Sequence, residues 1–427
     1  VSALKPTQPD DRAIAAARRV LRDSGHVADP FATAEIFPAE AYVGDDFWRF
    51  ERWALFEKEW LCIGHANQVP KPADHFTITV LDEPLIITRD ERGEVHVLSA
   101  ICQHRGHPLM DGLDAPDEPG RCRNGRLLLC PYHAWSYRLD GSLQAAPEMD
   151  RTASIDELRR TVRLPRVRHE IFHGLIFINF DADAPALAPS LSRLEPMISA
   201  FRMGELMAAP SSSLAARSNW KIYQENSLEP YHTDVVHKAS HNPAPANLSA
   251  FYAYEPGDGA IITTTGFNEG TELFAADGAQ QLPEIPGVSA EERERVLFVA
   301  ILPTLFLVME AGQVLVNLVF PLGPETMTRV MFSLYPAEAI AAPQFSDVAR
   351  SHIEALEGIV AEDWATQEAL QRGHASRFTP KGRLSWLETT IPQMNHWLVE
   401  RYRARLDDLD SKPPLASLSM QGLLLTS

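Results

Sequence analysis

Apolar positions near the start of the chain recur at helical spacing, first over residues 11–23 and again over 45–60, where Phe47, Phe50, Leu55, Phe56 and Trp60 fall roughly on one side. From residue 76 the pattern shortens to β-rich runs. Phe76-Thr-Ile-Thr-Val, Pro84-Leu-Ile-Ile-Thr and Val95-His-Val-Leu are separated by turn signals at Asp82-Glu83 and Glu91-Arg-Gly93. Residues 174–180 predict another strand, and residues 184–189 a Pro/Ala linker-like stretch. Strands are then expected over 260–264, 296–309, 313–320 and 328–335, followed by helices over about 348–371 and 384–405. Strands first and helices afterwards argue for an α+β chain with an antiparallel sheet.

Length and charge narrow the class. At 427 residues and 45% hydrophobic content the chain can bury two cores. Its 39 basic and 57 acidic residues, a net charge of -18, argue against binding nucleic acid or an anionic membrane and leave room for a basic redox partner. The longest apolar run, residues 296–309, contains Pro303 and is too short to span a bilayer, and the first residues lack a basic-then-apolar signal pattern. The expectation is a cytoplasmic protein. Four cysteines occur, of which Cys62 and Cys122 are expected as free thiols.

The other two cysteines carry the chemistry. Cys102 and His104 form a Cys-x-His pair, and Cys130 and His133 a Cys-x-x-His pair. Two thiolates and two imidazoles from separate loops suit a [2Fe-2S] cluster with cysteines on one iron and histidines on the other, the Rieske centre. Neutral imidazole brings less negative charge than thiolate, so such a cluster accepts an electron more readily than an all-cysteine one. Structural zinc is the competing assignment, but zinc spacings group like ligands together, whereas each pair here is mixed.

Around these residues the chain resembles the Rieske non-haem iron oxygenases. The likeness rests on Cys102-x-His104-Arg105-Gly106, on Cys130-Pro131-Tyr132-His133-x-Trp135, and on the Leu139-Asp140-Gly141 turn. It departs in the insertion-like residues 114–125, which include Cys122. The resemblance implies a small antiparallel-β Rieske domain over residues 50–165 and a mononuclear iron domain over 166–427 with a helix-grip-like sheet covered by helices. Residues 1–49 are expected to pack on the latter.

A second cluster of chemistry runs from Asn219-Trp-Lys through Asn226 and Glu229 to His232 and His237. The two histidines are five apart, which on a regular helix places them about 140° apart. Sharing a metal therefore requires a widened turn or a ligand at a helix end, and Pro230 interrupts the segment. Spacing alone is weak evidence for a metal. The family pattern of Asn-Trp-Lys, Glu-Asn, an acid three before the first histidine and a second histidine five later is matched throughout. A facial triad also needs a carboxylate. Along the helix expected near the C-terminus, Ile353, Leu356, Val360, Gln367 and Leu370 trace an inward stripe on which Asp363 falls, with Glu362 toward solvent. A carboxylate facing a core is costly unless paired or metal-bound, so Asp363 is the expected third ligand, and the family pattern Glu-Asp-x4-Glu agrees.

The resemblance implies that Glu229 bridges a mononuclear-iron histidine to a cluster histidine, His133, of a neighbouring subunit in a homotrimer, with Asn226 beside it. The spacing Glu225-Asn226-x-x-Glu229-x-Tyr231-His232 is nearest the carnitine and glycine-betaine oxygenase branch. The implied activity is that of a terminal oxygenase using O2 and electrons from a ferredoxin or an NAD(P)H-dependent reductase to hydroxylate a small hydrophobic organic substrate, including N- or O-dealkylation. Ring dihydroxylation and a stand-alone Rieske electron carrier are the alternatives. No Gly-x-Gly-x-x-Gly occurs, so the reductase is expected to be separate. Phe251, Tyr252, Phe267, Phe306, Trp364 and Trp397 are candidate pocket walls.

Overall fold

The computed structural model describes residues 8–109, 123–209, 211–238, 243–269 and 282–411. Cys122 and most of the insertion-like stretch lie outside them. The first helix, Asp11–Asp23, starts where the Asp10 side chain accepts from the Ala13 backbone N–H, and it buries Ala13, Ala16, Ala17 and Val20 against the helices Asp45–Glu51 and Thr390–Ser411. The helix expected over 45–60 ends early. It runs as α-helix over Asp45–Glu51 and continues as a π-turn over Arg52–Phe56. Four consecutive side chains, Trp53 to Phe56, are buried there, so this turn is enclosed on most sides rather than along one stripe.

Three small sheets follow. Val95–Ser99, Glu83–Arg89, Asp74–Val80 and Arg123–Asn124 form one in that spatial order. Leu81 and Asp82 turn between two of its strands with φ of 52° and 66°, the positive values a two-residue hairpin of right-twisting strands demands. Leu127–Leu129, Ser136–Arg138 and Leu143–Ala145 form the second. In the third, Leu175–Asn179 pairs antiparallel with both Leu61–His65 and Arg168–Phe172, so chain from either side of residue 165 shares one sheet. The linker-like stretch is folded in part, with a 3-10 turn over Ala188–Leu191 and Leu187 buried.

The large sheet has eight antiparallel strands. The run expected as one strand over 296–309 is instead a hairpin of Arg295–Ile301 and Leu305–Glu310, because Pro303 cannot donate within a ladder and fits only at the turn. Gln313–Gly323 and Thr326–Tyr335 extend the sheet and are buried on both faces. The helices Phe345–His374 and Thr390–Ser411 complete the chain, so the antiparallel sheet and its helical cover are found as expected. Leu370 is a correction to the inward stripe, being exposed; Gln367 is buried as expected, and Gln371 is buried in place of Leu370. Among the described residues no helix is long and apolar enough to cross a membrane.

Glu51 knots these layers together. Buried at the end of its helix, it accepts from the Trp220 indole at 2.9 Å, from Lys221 Nζ at 2.8 and 3.0 Å, and from the Tyr402 hydroxyl. Breaking a buried ion pair strands a charge and typically costs about 3–5 kcal/mol. Lys221→Met should therefore destabilise the protein by about that amount in denaturant titration, and adding Glu51→Gln should restore part of the loss, since the two sites share one network.

Candidate metal centres

The cluster loops are built alike. Cys102 N–H donates to His107 O and Gly106 N–H to Cys102 O, at 2.9 and 3.0 Å; Cys130 N–H donates to Trp135 O and Ala134 N–H to Cys130 O, at 2.8 and 3.0 Å. Four residues after each cysteine the chain turns left-handed, at Gly106 with φ 76° and at Ala134 with φ 58°. Glycine takes this conformation freely, whereas alanine does so at a cost of roughly 1 kcal/mol or more, a strain found at functional loops. The two cysteines are buried over the second core, with Trp135 and Tyr137. Tyr137 accepts from Gln103 N–H at 3.0 Å, and its hydroxyl lies 3.3 Å from Cys102 Sγ. The histidines face outward. His104 stacks on Trp135 with centroids 4.7 Å apart, and the His133 ring lies 4.8 Å from the His104 ring. The two loops thus bring the four expected cluster ligands together, thiols inside and imidazoles toward solvent, an arrangement that suits a two-iron cluster with unlike ends.

The second site forms where a helix breaks. Asn219 caps the helix Trp220–Leu228, and Glu229, preceding Pro230, is extended at φ -108°, ψ 133°, the conformation a following proline favours. One turn of helix, Thr233–Val236, comes next, with His232 at its front and His237 at its back. Of the two ways of joining histidines five apart, the chain uses helix ends and not a widened turn. Both rings present Nε2 to one oxygen, Asp363 Oδ1, at 3.4 Å from His232 and 2.9 Å from His237. The three ligand atoms lie within 4.8 Å of one another, so these residues could hold one metal ion in the 2-His-1-carboxylate arrangement.

Carboxylates occupy the opposite side of each ring. Glu229 Oε1 lies 2.7 Å from His232 Nδ1, and Glu362 Oε2 lies 2.8 Å from His237 Nδ1. Such partners fix the tautomer that leaves Nε2 free for a metal. Glu229 is therefore no exposed helix acid, its side chain being 11% exposed. Glu362 corrects the expectation of a purely solvated side chain: although 41% exposed, it orients a ring. Electrostatically the group is tightly coupled. Burial works against charge on every member, but the hydrogen bonds and charges outweigh it, holding the Asp363 carboxyl down and pushing His232 and His237 up.

The long helix reads the metal segment in reverse order. Gln371 Oε1 accepts from Asn219 N–H at 2.8 Å, Gln367 Nε2 donates to Asn226 Oδ1 at 2.6 Å, and Asp363 meets the histidines. These three residues are four apart in sequence and so lie on one helical stripe. Asn226, held by Gln367, places its amide 3.3 Å from His232 Nε2. A cavity of about 120 Å³ opens on the triad, walled by Phe298, Phe306, Val308, Leu315, Ile359 and Val360, with Tyr223, Asn317 and Arg329 as polar members. Of the aromatic walls expected, only Phe306 lines it. Trp397 is fully buried core, Tyr252 lines a smaller separate cavity, and Phe251, Phe267 and Trp364 lie elsewhere. Sequence reasoning missed the contact of Glu362 with His237, the contact of Gln367 with Asn226, and Arg329. The last was signalled by an arginine within an otherwise apolar strand pattern.

Comparison with known proteins follows this division. Residues 59–159 match the Rieske [2Fe-2S] domain family, and residues 203–404 match the family of ring hydroxylating alpha subunits (catalytic domain). The carnitine monooxygenase oxygenase subunit of Acinetobacter pittii (strain PHEA-2) is 31% identical over 205 residues, 47% of this chain and 52% of that protein, so the chain spans about half the length of the curated relatives it matches. A solved quaternary ammonium Rieske monooxygenase superposes with a TM-score of 0.73 at 22% identity, covering 89% of this chain and 98% of the other. Naphthalene 1,2-dioxygenase from Rhodococcus sp., bound to indole, gives 0.71 at 19% identity over 95% and 100%. At these identities the likeness concerns the fold.

The two centres make separable predictions. Cys130→Ala should abolish visible [2Fe-2S] absorption while iron analysis still finds the mononuclear metal. Asp363→Ala should show the converse. Glu362→Gln should retain the metal with affinity weakened about 10- to 100-fold, the usual effect of losing a carboxylate behind a metal-bound histidine.

Proposed function

We propose that this chain, a Rieske [2Fe-2S] domain joined to a ring-hydroxylating α-subunit catalytic domain, is the terminal oxygenase of a multicomponent system. It would receive electrons from a ferredoxin or an NAD(P)H-dependent reductase and hydroxylate a small organic substrate, with hydroxylation of an N- or O-alkyl carbon leading to dealkylation. The observation that carries this reading is the convergence of His232, His237 and Asp363 on one point at the wall of an apolar cavity. When bound, the cluster supplies single electrons and the ferrous ion activates dioxygen.

The protein's own residues have defined tasks in this reading. Cys102, Cys130, His104 and His133 hold the cluster, and His232, His237 and Asp363 hold the mononuclear iron. Glu229 and Glu362 keep the Nδ1 protons on their histidines, while Asn226, braced by Gln367, packs beside His232 Nε2. The apolar cavity walls would hold the body of the substrate beside the triad. The resemblance to a naphthalene dioxygenase fold keeps ring dihydroxylation as the second reading, which product analysis with isotopically labelled O2 separates from monooxygenation.

Glu229 has a further task in this proposal, coupling His232 to a cluster histidine of a neighbouring copy within a trimer. Apolar side chains support a contact there. Leu129 and Tyr132 are exposed beside the cluster, and Tyr231 and Val235 beside Glu229, and exposed apolar groups clustered on two surfaces mark interaction sites. The reading places the protein in the cytoplasm, and the buried Cys62 thiol, pushed up to about 12 by burial, remains reduced and inert there.

The expected outcome for Glu229→Gln is a protein with both metals and a normally reduced cluster but most turnover lost, because electron passage and not iron retention is impaired. Stopped-flow cluster reduction with single-turnover product yield checks this. A fully active monomer, or a variant yield equal to the parent, would contradict it.

A further inference from the structure

Two cations are fully buried among the described residues, Lys221 and Arg329. Lys221 is neutralised by Glu51 at 2.8 Å. Arg329, on the strand Thr326–Tyr335 and 3% exposed, takes part in no ion pair among the described residues. Its Nε and Nη2 donate to a neutral acceptor, Asn317 Oδ1, at 2.9 and 2.6 Å, and Nη2 lies 2.8 Å from the Met331 sulfur. Asn317 is itself braced by its amide donating to Phe306 O at 3.4 Å. The Tyr223 hydroxyl faces Arg329 and Ser227. All of these except Met331 line the cavity that holds His232, His237 and Asp363.

A buried charge without a counter-ion costs stability, and an arginine has five N–H donors, more than Asn317 and Met331 satisfy. The rest of the chamber is largely apolar. Asn317 takes the Nε–Nη2 edge, so the free Nη1 donors, with the Tyr223 hydroxyl beside them, form a cationic corner that suits a carboxylate through charge-assisted hydrogen bonds. We infer that Arg329 anchors a carboxylate on the substrate. Asn317 holds the guanidinium in plane as a positioning residue, and Tyr223 presents a hydroxyl beside it. The apolar body of the acid then fills a space comparable to the roughly 150 Å³ that admits benzene, directing its oxidisable carbon toward the triad. A cationic substrate lacking a carboxylate would be repelled by the same corner. The inference deepens the oxygenase reading by naming its substrate class, small organic acids, and the anchor is tested by binding alone.

The experiment uses the metal-loaded protein and two matched pairs of probes, 4-methoxybenzoate and N,N-dimethylglycine against their primary amides, followed by calorimetry and thermal shift. At least one acid should bind at millimolar concentration or below and more tightly than its amide. Arg329→Gln should weaken that acid about 100-fold, in the range for truncating one partner of a buried charge pair, while leaving the amide unchanged. Arg329→Lys, which keeps the charge without the guanidinium's fixed donors, should fall between. If Arg329→Gln does not fold, Asn317→Ala should weaken the acid about 10-fold through loss of the guanidinium's support, a loss of one charged hydrogen bond. Amides binding as well as acids in the parent, or an acid whose affinity survives these substitutions, overturns the inference. Iron content is measured in the same samples. A protein that holds both metals yet ignores the carboxylate refutes the anchor alone, and one that binds the acid without mononuclear iron refutes the oxygenase reading alone.

Discussion

The geometry of the catalytic half depends on one buried carboxylate. Glu51 gathers an indole, an ammonium and a phenol from two helices that are far apart in sequence. Lys221 lies among aromatic rings, with those of Tyr42, Phe47 and Trp220 between 5.2 and 5.7 Å away. A charge in such surroundings persists only while paired. The pairing thereby fixes where the helix Trp220–Leu228 begins. Since that helix ends at Glu229-Pro230, its starting point also determines where His232 and His237 fall. The Trp-Lys pair of the Asn-Trp-Lys motif is thus a structural clamp on the metal segment and not part of the metal site.

From that clamp, precision passes along the ladder between the metal segment and the long helix. Gln371, Gln367 and Asp363 engage Asn219, Asn226 and the two histidines in turn. A ladder of side-chain contacts spaced by four residues sets both the rotation and the translation of one helix against the other. Moving either helix by one residue would break every rung, so the arrangement that keeps these hydrogen bonds is also the one that assembles the triad.

The residues legible in the sequence were those whose chemistry is rare. Mixed Cys/His pairs have few structural uses, and the position of Asp363 on a helix face gave it away. The role of Glu362 was hidden because a carboxylate on a helix is ordinarily solvated, and Gln367, though on the inward stripe, shows its partner only once the neighbouring chain is in place. Leu370 illustrates the same limit from the other side. Hydrophobicity placed it inward, whereas the contact there is polar, so Gln371 holds the inner position. The aromatic pocket candidates failed because large rings mostly fill cores, and Trp397 does so here. The hairpin within residues 296–309 was written in Pro303, a residue that terminates a strand even inside an unbroken apolar run.

The two metal centres are held by different means, and the difference follows from what each must do. The cluster loops are shaped by their own backbone hydrogen bonds and by left-handed turns at Gly106 and Ala134, so they are largely independent of the rest of the chain. Their buried sulfurs and outward imidazoles make the histidine end the accessible end of the pair of loops. The mononuclear site is assembled from segments more than a hundred residues apart, with carboxylates behind both rings. Its two outer carboxylates are not equivalent. Glu362 touches a histidine that is almost wholly enclosed, whereas Glu229 backs the histidine nearer the surface. The two pairs thus differ in setting: His232 is the more accessible ring but its acid is enclosed, and His237 is the enclosed ring but its acid reaches the surface.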